Sequence, residues 1–193
     1  MRTTLPRDAI VIPENATRVF EGIIHDVYQW PQEQFDGSTV TFEMTKRPDT
    51  VQVFLVKENK ILIQKQEQPF VGAFYSLPGG RHEVASETEV EAMARELKEE
   101  TGIVAAGLTL VAVEQPHSKT EFFVYTFVAD GVKTEGEMAL DAGEKIENIW
   151  MSVTDIRKVM DDGAFRGVHS HFFDEIDDAD TLLEFPEYVV DAS

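Results

Sequence analysis

Gly79-Gly80-Arg81-His82-Glu83-Val84-Ala85-Ser86-Glu87-Thr88-Glu89-Val90-Glu91-Ala92-Met93-Ala94-Arg95-Glu96-Leu97-Lys98-Glu99-Glu100-Thr101-Gly102 is the stretch from which the rest of this chain is understood. Wound at about 3.6 residues per turn, Glu87 to Thr101 is a predicted helix on which Val90, Met93, Ala94 and Leu97 form an apolar stripe. Glu89, Glu96, Glu99 and Glu100 gather on another side, with Glu96 and Glu100 one turn apart. Like charges at that spacing destabilise a bare helix by about 0.2–0.5 kcal/mol per pair. A divalent cation reverses the sign, so the pattern predicts a hard-cation site built from oxygen ligands. Glu-rich helices are usually solvated faces. Three neighbours speak against that here: Lys98 is the one lysine among the acids, Arg95 sits beside Glu96, and a Leu77-Pro78-Gly79-Gly80 turn precedes them.

The segment resembles the signature of the Nudix hydrolases, G-x5-E-x7-R-E-U-x-E-E-x-G-U, where U is a bulky aliphatic residue. Glu87, seven residues, then Arg95-Glu96-Leu97-x-Glu99-Glu100-x-Gly102-Ile103 match it position for position. Six residues, Arg81 to Ser86, separate Gly80 from Glu87 where the pattern has five, so the entering loop is one residue longer. Outside the box, the order of features resembles the ADP-ribose (ADP-sugar) pyrophosphatase branch: Arg47-Pro48-Asp49, Gln66-Glu67-Gln68-Pro69, the Leu-Pro-Gly-Gly turn and an acidic loop from Asp141 to Glu147. Gln68 stands where that branch carries an arginine, and Pro116 falls closer to the box than the branch's usual proline. The likeness spans roughly residues 18 to 163.

Composition bounds the function. The chain has 193 residues and no cysteine, which excludes disulfides and thiol chemistry and fits a reducing cytoplasm. Lys+Arg 17 against Asp+Glu 36 leaves a formal net charge of −19. That balance argues against nucleic acid as a partner, since phosphate backbones are bound by Lys and Arg. It also repels an anionic substrate unless a cation makes the site locally positive; a halophilic source would give the same acidity. The first twenty residues lack the apolar core of a signal peptide, and Ile103 to Val113 is too short to span a bilayer. A cytoplasmic protein without membrane partners is expected.

The pattern of elements predicts an α/β fold, which the resemblance sharpens to an α/β/α sandwich with a mixed sheet, preceded by a small N-terminal antiparallel β extension. Residues 1–16 read as an extended or disordered lead. A β-prone run from Arg18 to Gln29, a turn at Asp36-Gly37 and a strand from Thr39 to Thr45 complete a segment 1–47. The main domain, 48–163, opens with a hairpin of Val51–Val56 and Ile61–Ile63. Strands follow near 108–113, 121–129 and 146–153, then a helix capped by Ser152 or Thr154 and stopped at Gly163. Residues 164–193 form an acidic tail with scattered aromatics.

The resemblance implies Mg²⁺-dependent hydrolysis (Mn²⁺ as a substitute) of a pyrophosphate in a nucleoside diphosphate linked to another moiety, most simply ADP-ribose. Glu96, Glu100 and Glu99 are then the metal carboxylates, with the Gly79 carbonyl as a fourth ligand, and Arg95 orients them. Glu83 and Glu87 either support the loop or approach a second metal. A general base is sought between Asp141 and Glu147, with Glu144 first and Glu147 and Asp141 open. Tyr28 and Trp30 are candidate platforms for a base, supplied across a homodimer, and Arg47, Arg81 and Gln68 are candidate substrate contacts. His169-Ser170-His171 lacks a third ligand, and 174–180 lacks the glycine and closing glutamate of a calcium loop. Two rivals stand beside this function: a Nudix hydrolase of nucleoside triphosphates or other nucleotides, and a non-catalytic Nudix domain that binds a nucleotide.

Overall fold

The computed structural model of the chain describes residues 1–69, 71–140, 142–143, 145–167 and 170–189. Strands β1 (Thr17–Phe20), β2 (Asp26–Glu33) and β3 (Thr39–Lys46) form an antiparallel meander. Then come β4 (Asp49–Lys57) and β5 (Lys60–Gln68), joined by a tight turn in which Glu58 and Asn59 both take positive φ. Short strands β6 (Gly72–Ser76) and β7 (Gly79–His82) lead into helix α1 (Glu89–Thr101). Beyond it lie β8 (Ile103–Ala105), β9 (Thr109–Glu114), β10 (Thr120–Glu121), β11 (Val124–Asp130), β12 (Val132–Glu135) and β13 (Lys145–Met151). Helix α2 (Val153–Asp161), helix α3 (Ser170–Glu175) and a 3₁₀ turn (Ala179–Glu184) follow.

The main sheet runs β13-β5-β4-β11-β9, with β6 on β5 and β7 on β4. It is mixed because β4 and β11 are parallel, Val51 opposite Tyr125. Helix α1 lies between these two strands in sequence, the crossover that a parallel pair requires. Alternation along the strands sorts two cores. Val51, Val53, Leu55, Tyr125 and Phe127 meet Met93 and Leu97 of α1 on one face. Phe54, Val56, Ile61, Ile63 and Val128 meet Ile156, Phe172 and Phe173 on the other. Helix, mixed sheet, helix is the expected α/β/α sandwich. β1-β2-β3 continue through the parallel pair β3–β10.

Three expectations are revised. Helix α1 begins at Glu89, because Thr88 caps it: its hydroxyl accepts the Glu91 amide, and the Glu91 side chain returns to the Thr88 amide. Its apolar stripe is also rotated. Val90 and Ala94 face solvent, while Glu89 and Ala92 are buried with Met93 and Leu97. Finally, residues 1–16 carry no helix or strand but are fixed in place. Arg2 pairs with Asp49 and Glu121, Leu5 and Ala9 pack on the core, and Ile10 exchanges two hydrogen bonds with Gln115. The tail is anchored as well: Arg157 donates to the carbonyls of Phe173 and Ile176, and Asn59 Oδ1 accepts the Ala179 amide.

Candidate active site

The site is assembled around Arg95. Its Nε and Nη2 form a bidentate pair with Glu87 at 3.0 and 2.8 Å. Its Nη1 reaches Glu96 at 2.9 Å and Glu99 at 3.0 Å, and Nη2 also donates to the Arg81 carbonyl at 2.8 Å. One cation thus holds three carboxylates and the entering loop together. The Arg95 hydrogen bonds keep the Glu87 carboxyl below the usual carboxylate range, and Glu87 in turn raises the Arg95 guanidinium above its own. Glu87 precedes the helix, so the extra loop residue leaves the Arg95–Glu87 pair intact.

Glu100 lies a turn beyond and is nearly buried. Its Oε2 accepts the Gly79 amide at 2.9 Å and Gln64 Nε2 at 3.0 Å. The Gly79 backbone is possible only for glycine: φ is +151°, and a Cβ would stand 2.1 Å from the Val51 carbonyl oxygen. At Gly80 a Cβ would come within 2.5 Å of the Glu96 carboxylate. Gly79 thus lets β7 pack closely on the backbone of β4, and Gly80 lets it press against Glu96 on the acidic face of α1.

The donors are carboxylate oxygens, the set that a hard divalent cation prefers. Among the described residues no three His, Asp or Glu side chains already converge as a cage. Glu96 and Glu99 lean on Arg95, and Glu100 on Gly79 and Gln64. The face therefore fits such an ion in donor chemistry and charge, with carboxylates outnumbering the single guanidinium.

A cleft of about 270 Å³ opens next to it, lined by Arg2, Lys46, Arg47, Arg81, His82 and the loop from Gly22 to Ile24. An adjoining cavity of about 320 Å³ shares Arg47 and Arg81 and reaches Thr50 and Gly80. Arg47 stacks 4.3 Å above the Phe122 ring, and its Nε is buried without a hydrogen-bond partner. Arg81 is more exposed and pairs with Glu83 at 2.9 Å.

Other candidates fall elsewhere. Trp30 is 9% exposed, packs on Phe42 at 5.1 Å and lines a separate cavity with Ile10 and Val11. Tyr28 is half-buried in β2, and Gln68 ends β5 opposite Gly72. Neither lines the cleft in a single chain. Asp141, Glu144 and His169 lie outside the described residues. Glu147 is exposed on β13 opposite Lys65 and lines a cavity with Glu67 and Lys145. Gln64 escaped notice in the sequence, although a polar residue ending the apolar run Ile61-Leu62-Ile63 was a usable signal. Asn148 also escaped notice; its amide donates to the Glu100 carbonyl at 3.0 Å.

Comparison with known proteins bears on this geometry. The model of the NUDIX domain matches residues 46–173. The chain is 42% identical over 74 residues to the 8-oxo-dGDP phosphatase NUDT18 of Mus musculus, and 48% identical over 58 residues to the ADP-ribose pyrophosphatase of Methanocaldococcus jannaschii. These stretches cover 38% and 30% of this chain but only 22% and 33% of the relatives. In three dimensions it resembles a crystal structure of an ADP compounds hydrolase, with TM-score 0.67 and 20% identity, covering 84% of this chain and 90% of that one. A NUDIX hydrolase from Nitrosomonas europaea gives TM-score 0.58 at 20% identity, covering 76% and 99%. At such identities the structural likeness concerns the fold.

Proposed function

The chain belongs to the NUDIX family, and from that membership we propose that it hydrolyses the pyrophosphate of a nucleoside diphosphate linked to another moiety. ADP-ribose or a related ADP-sugar is the substrate in this reading, with AMP and a sugar phosphate as products. The observation that carries it is the acidic face braced by one guanidinium, Glu87, Glu96 and Glu99 on Arg95, standing beside a cleft where Arg2, Lys46, Arg47 and Arg81 outnumber Asp26 and Glu83.

Glu96, Glu99, Glu100 and the Gly79 carbonyl would hold Mg²⁺, or Mn²⁺ in its place. When bound, the ion neutralises phosphate charge and lowers the pKa of a water. The protein's own groups do the rest. Arg95 fixes the spacing of the carboxylates, and Gly80 leaves Glu96 free to approach strand β7. Arg47 and Arg81 supply positive charge where the phosphates enter, which offsets the net charge of −19 locally. Hydrolysis breaks one P–O bond of the bridge and forms one to water, with the water proton passing to a carboxylate. We assign that base to the loop holding Asp141, Glu144 and Glu147, Glu144 first.

A second reading, a nucleoside diphosphate such as 8-oxo-dGDP cleaved to a monophosphate, is favoured by the 42% match to a phosphatase of that name. Exposed Val19, Phe20, Ile23, Ile24 and Phe35 on the N-terminal segment support a homodimer, with 1–47 as the dimerising extension, 48–163 as the catalytic domain and 164–193 as a tail. No helix among the described residues is long and apolar enough to cross a membrane; a cytoplasmic location is part of this proposal.

The test is product analysis by phosphorus NMR with Mg²⁺ across ADP-ribose, ADP-glucose, 8-oxo-dGDP and nucleoside triphosphates, with Glu100→Gln alongside. AMP plus ribose 5-phosphate, lost in the variant, is expected. Release of inorganic phosphate from the diphosphate alone moves the protein to the second reading. Nucleotide binding without turnover rejects both.

A further inference from the structure

Residues 2–4 lie across the N-terminal end of the helix that carries the acidic face. Glu89, in the first turn of α1, is only 2% exposed. Its carboxylate receives the Thr3 amide at 2.6 Å, the Thr3 hydroxyl at 2.7 Å and the Thr4 amide at 3.3 Å. Burial pushes the Glu89 carboxyl up, but these bonds outweigh it and hold it below the usual range. Tyr125 of the main sheet donates to the Thr4 carbonyl at 2.9 Å, pinning the segment from beneath.

A second line of contacts runs through Arg2. Its guanidinium meets the fully buried Asp49 at 2.6 and 3.0 Å and Glu121 at 2.7 Å. Asp49 also takes the Phe123 amide and is the β-ladder partner of His82, whose Nδ1 lies 3.9 Å from its carboxylate and is buried without a hydrogen-bond partner. His82 Nε2 is 3.1 Å from the carbonyl oxygen of Glu87, whose carboxylate anchors Arg95. Residues 2–4 therefore approach the Arg95 cluster from two directions, through Glu89 on the helix and through Asp49 of β4, whose strand partner His82 lies at the head of the entering loop.

We infer that residues 2–4 are a positioning clamp for the acidic face, with Thr3 setting the pitch of α1 through Glu89 and Arg2 setting the loop through Asp49. Arg2 lines the cleft, but Thr3 and Thr4 line neither it nor the adjoining cavity at Gly80, and they bond to Glu89 and not to Glu96, Glu99 or Glu100, so the action of Thr3 is indirect. A helix freed at Glu89 turns about its buried Met93 and Leu97, and Glu96 and Glu99 lose register with strand β7 and Gly79. This rests on the hydrolase reading only for its effect on turnover; the order of the acidic face is testable without substrate.

Arg2 is a poor probe because its loss strands Asp49, so the test uses Thr3→Val, with Thr3→Ser as the rescue. Three quantities are compared in the intact protein: Mn²⁺ affinity by electron paramagnetic resonance, amide exchange along 89–101, and kcat against KM for the substrate found above. Removal of a group that orients metal ligands weakens metal binding or activity by about 10–100-fold. Expected for Thr3→Val is Mn²⁺ binding weaker by about tenfold, faster exchange in α1, and a fall in kcat with KM within about twofold, all restored by Thr3→Ser. Wild-type Mn²⁺ affinity and α1 exchange in Thr3→Val, whatever its melting temperature, overturn the clamp. If the wild type binds no Mn²⁺, or turns over none of the substrates, the exchange pattern alone decides: unchanged protection along α1 rejects the inference.

Discussion

Among the acid–cation clusters of the described residues, the two around Arg95 and Asp49 differ in charge balance. Around Arg95, three carboxylates share one guanidinium, and Glu99 remains 45% exposed on its side chain. Around Asp49, two carboxylates face two cations: Arg2 bridges Asp49 and Glu121, and Lys46 closes on Glu121 at 2.7 Å. In the second cluster both carboxylates are buried and each meets a cation, although Lys46 is 41% exposed on its side chain. The first is open and short of positive charge. A buried ion cluster must be matched to be tolerated, so a surplus of like charge persists only where water or a visiting cation can reach it. The deficit, more than the number of glutamates, separates a site from a strut.

The largest expected effect probes the deficit itself. Glu96→Gln and Glu100→Gln should each lower kcat by about 10²–10³-fold, the scale of losing one preorganised electrostatic group, with an unchanged circular dichroism spectrum. Turnover near wild type in both would remove the functional half of the contrast. Next comes the balanced cluster. Arg2→Met leaves Asp49 and Glu121 with one cation between them, and urea unfolding should show a loss of about 3–5 kcal/mol. A loss below 1 kcal/mol, on the order of an exposed pair, would mean that water already reaches this cluster.

Acid sharpens the comparison further. Hydrogen bonding to Arg95 depresses Glu87; burial raises Glu121, but bonds from Lys46, Arg2 and the Ile12 amide outweigh it, so Glu121 is depressed too. A depressed folded pKa contributes stability that is full above the unfolded value, about 4.3, and is lost as pH falls through the folded one. Melting temperature should therefore drop below about pH 4.3, and the drop should be shallower in Arg2→Met because Glu121 has lost a donor. An equal acid slope in both proteins would assign the effect elsewhere. The smallest change is the control: Thr88→Ala removes the cap of α1 and should cost about 1 kcal/mol, with turnover per folded molecule unchanged. If it reduced kcat as Glu96→Gln does, helix stability and not carboxylate chemistry would explain both.

What the sequence disclosed follows the range of the forces involved. Helix α1, the β4–β5 hairpin and the Ser152-capped helix rest on local periodicity and capping, and they were legible. The orientation of α1 was not. Periodicity placed Val90 inside, whereas Glu89 is buried because Thr3 and Thr4, far off in sequence, satisfy its oxygens. For the same reason the first residues looked like a loose lead. The tail was opaque because Phe172 and Phe173 pack on residues distant in sequence, Phe54 of β4 among them. In the site, the glutamates and Arg95 are consecutive in one motif. Gln64 and Asn148, which hold Glu100 from strands β5 and β13, carry no motif of their own.

Asp49 draws its donors from Arg2 and from the Phe123 amide, residues on either side of it along the chain. On the ribosome, which delivers the N-terminal half first, strand β4 and helix α1 emerge before the β11 strand that pairs with β4 exists. Until that segment arrives, Asp49 lacks the Phe123 amide, a contact long-range in sequence and of the kind that forms slowly. Closure of the Asp49 cluster is thus deferred to the second half of synthesis, whereas Gln64, Gly79, Arg81 and Glu87, which brace Glu100 and Arg95, all precede Phe123.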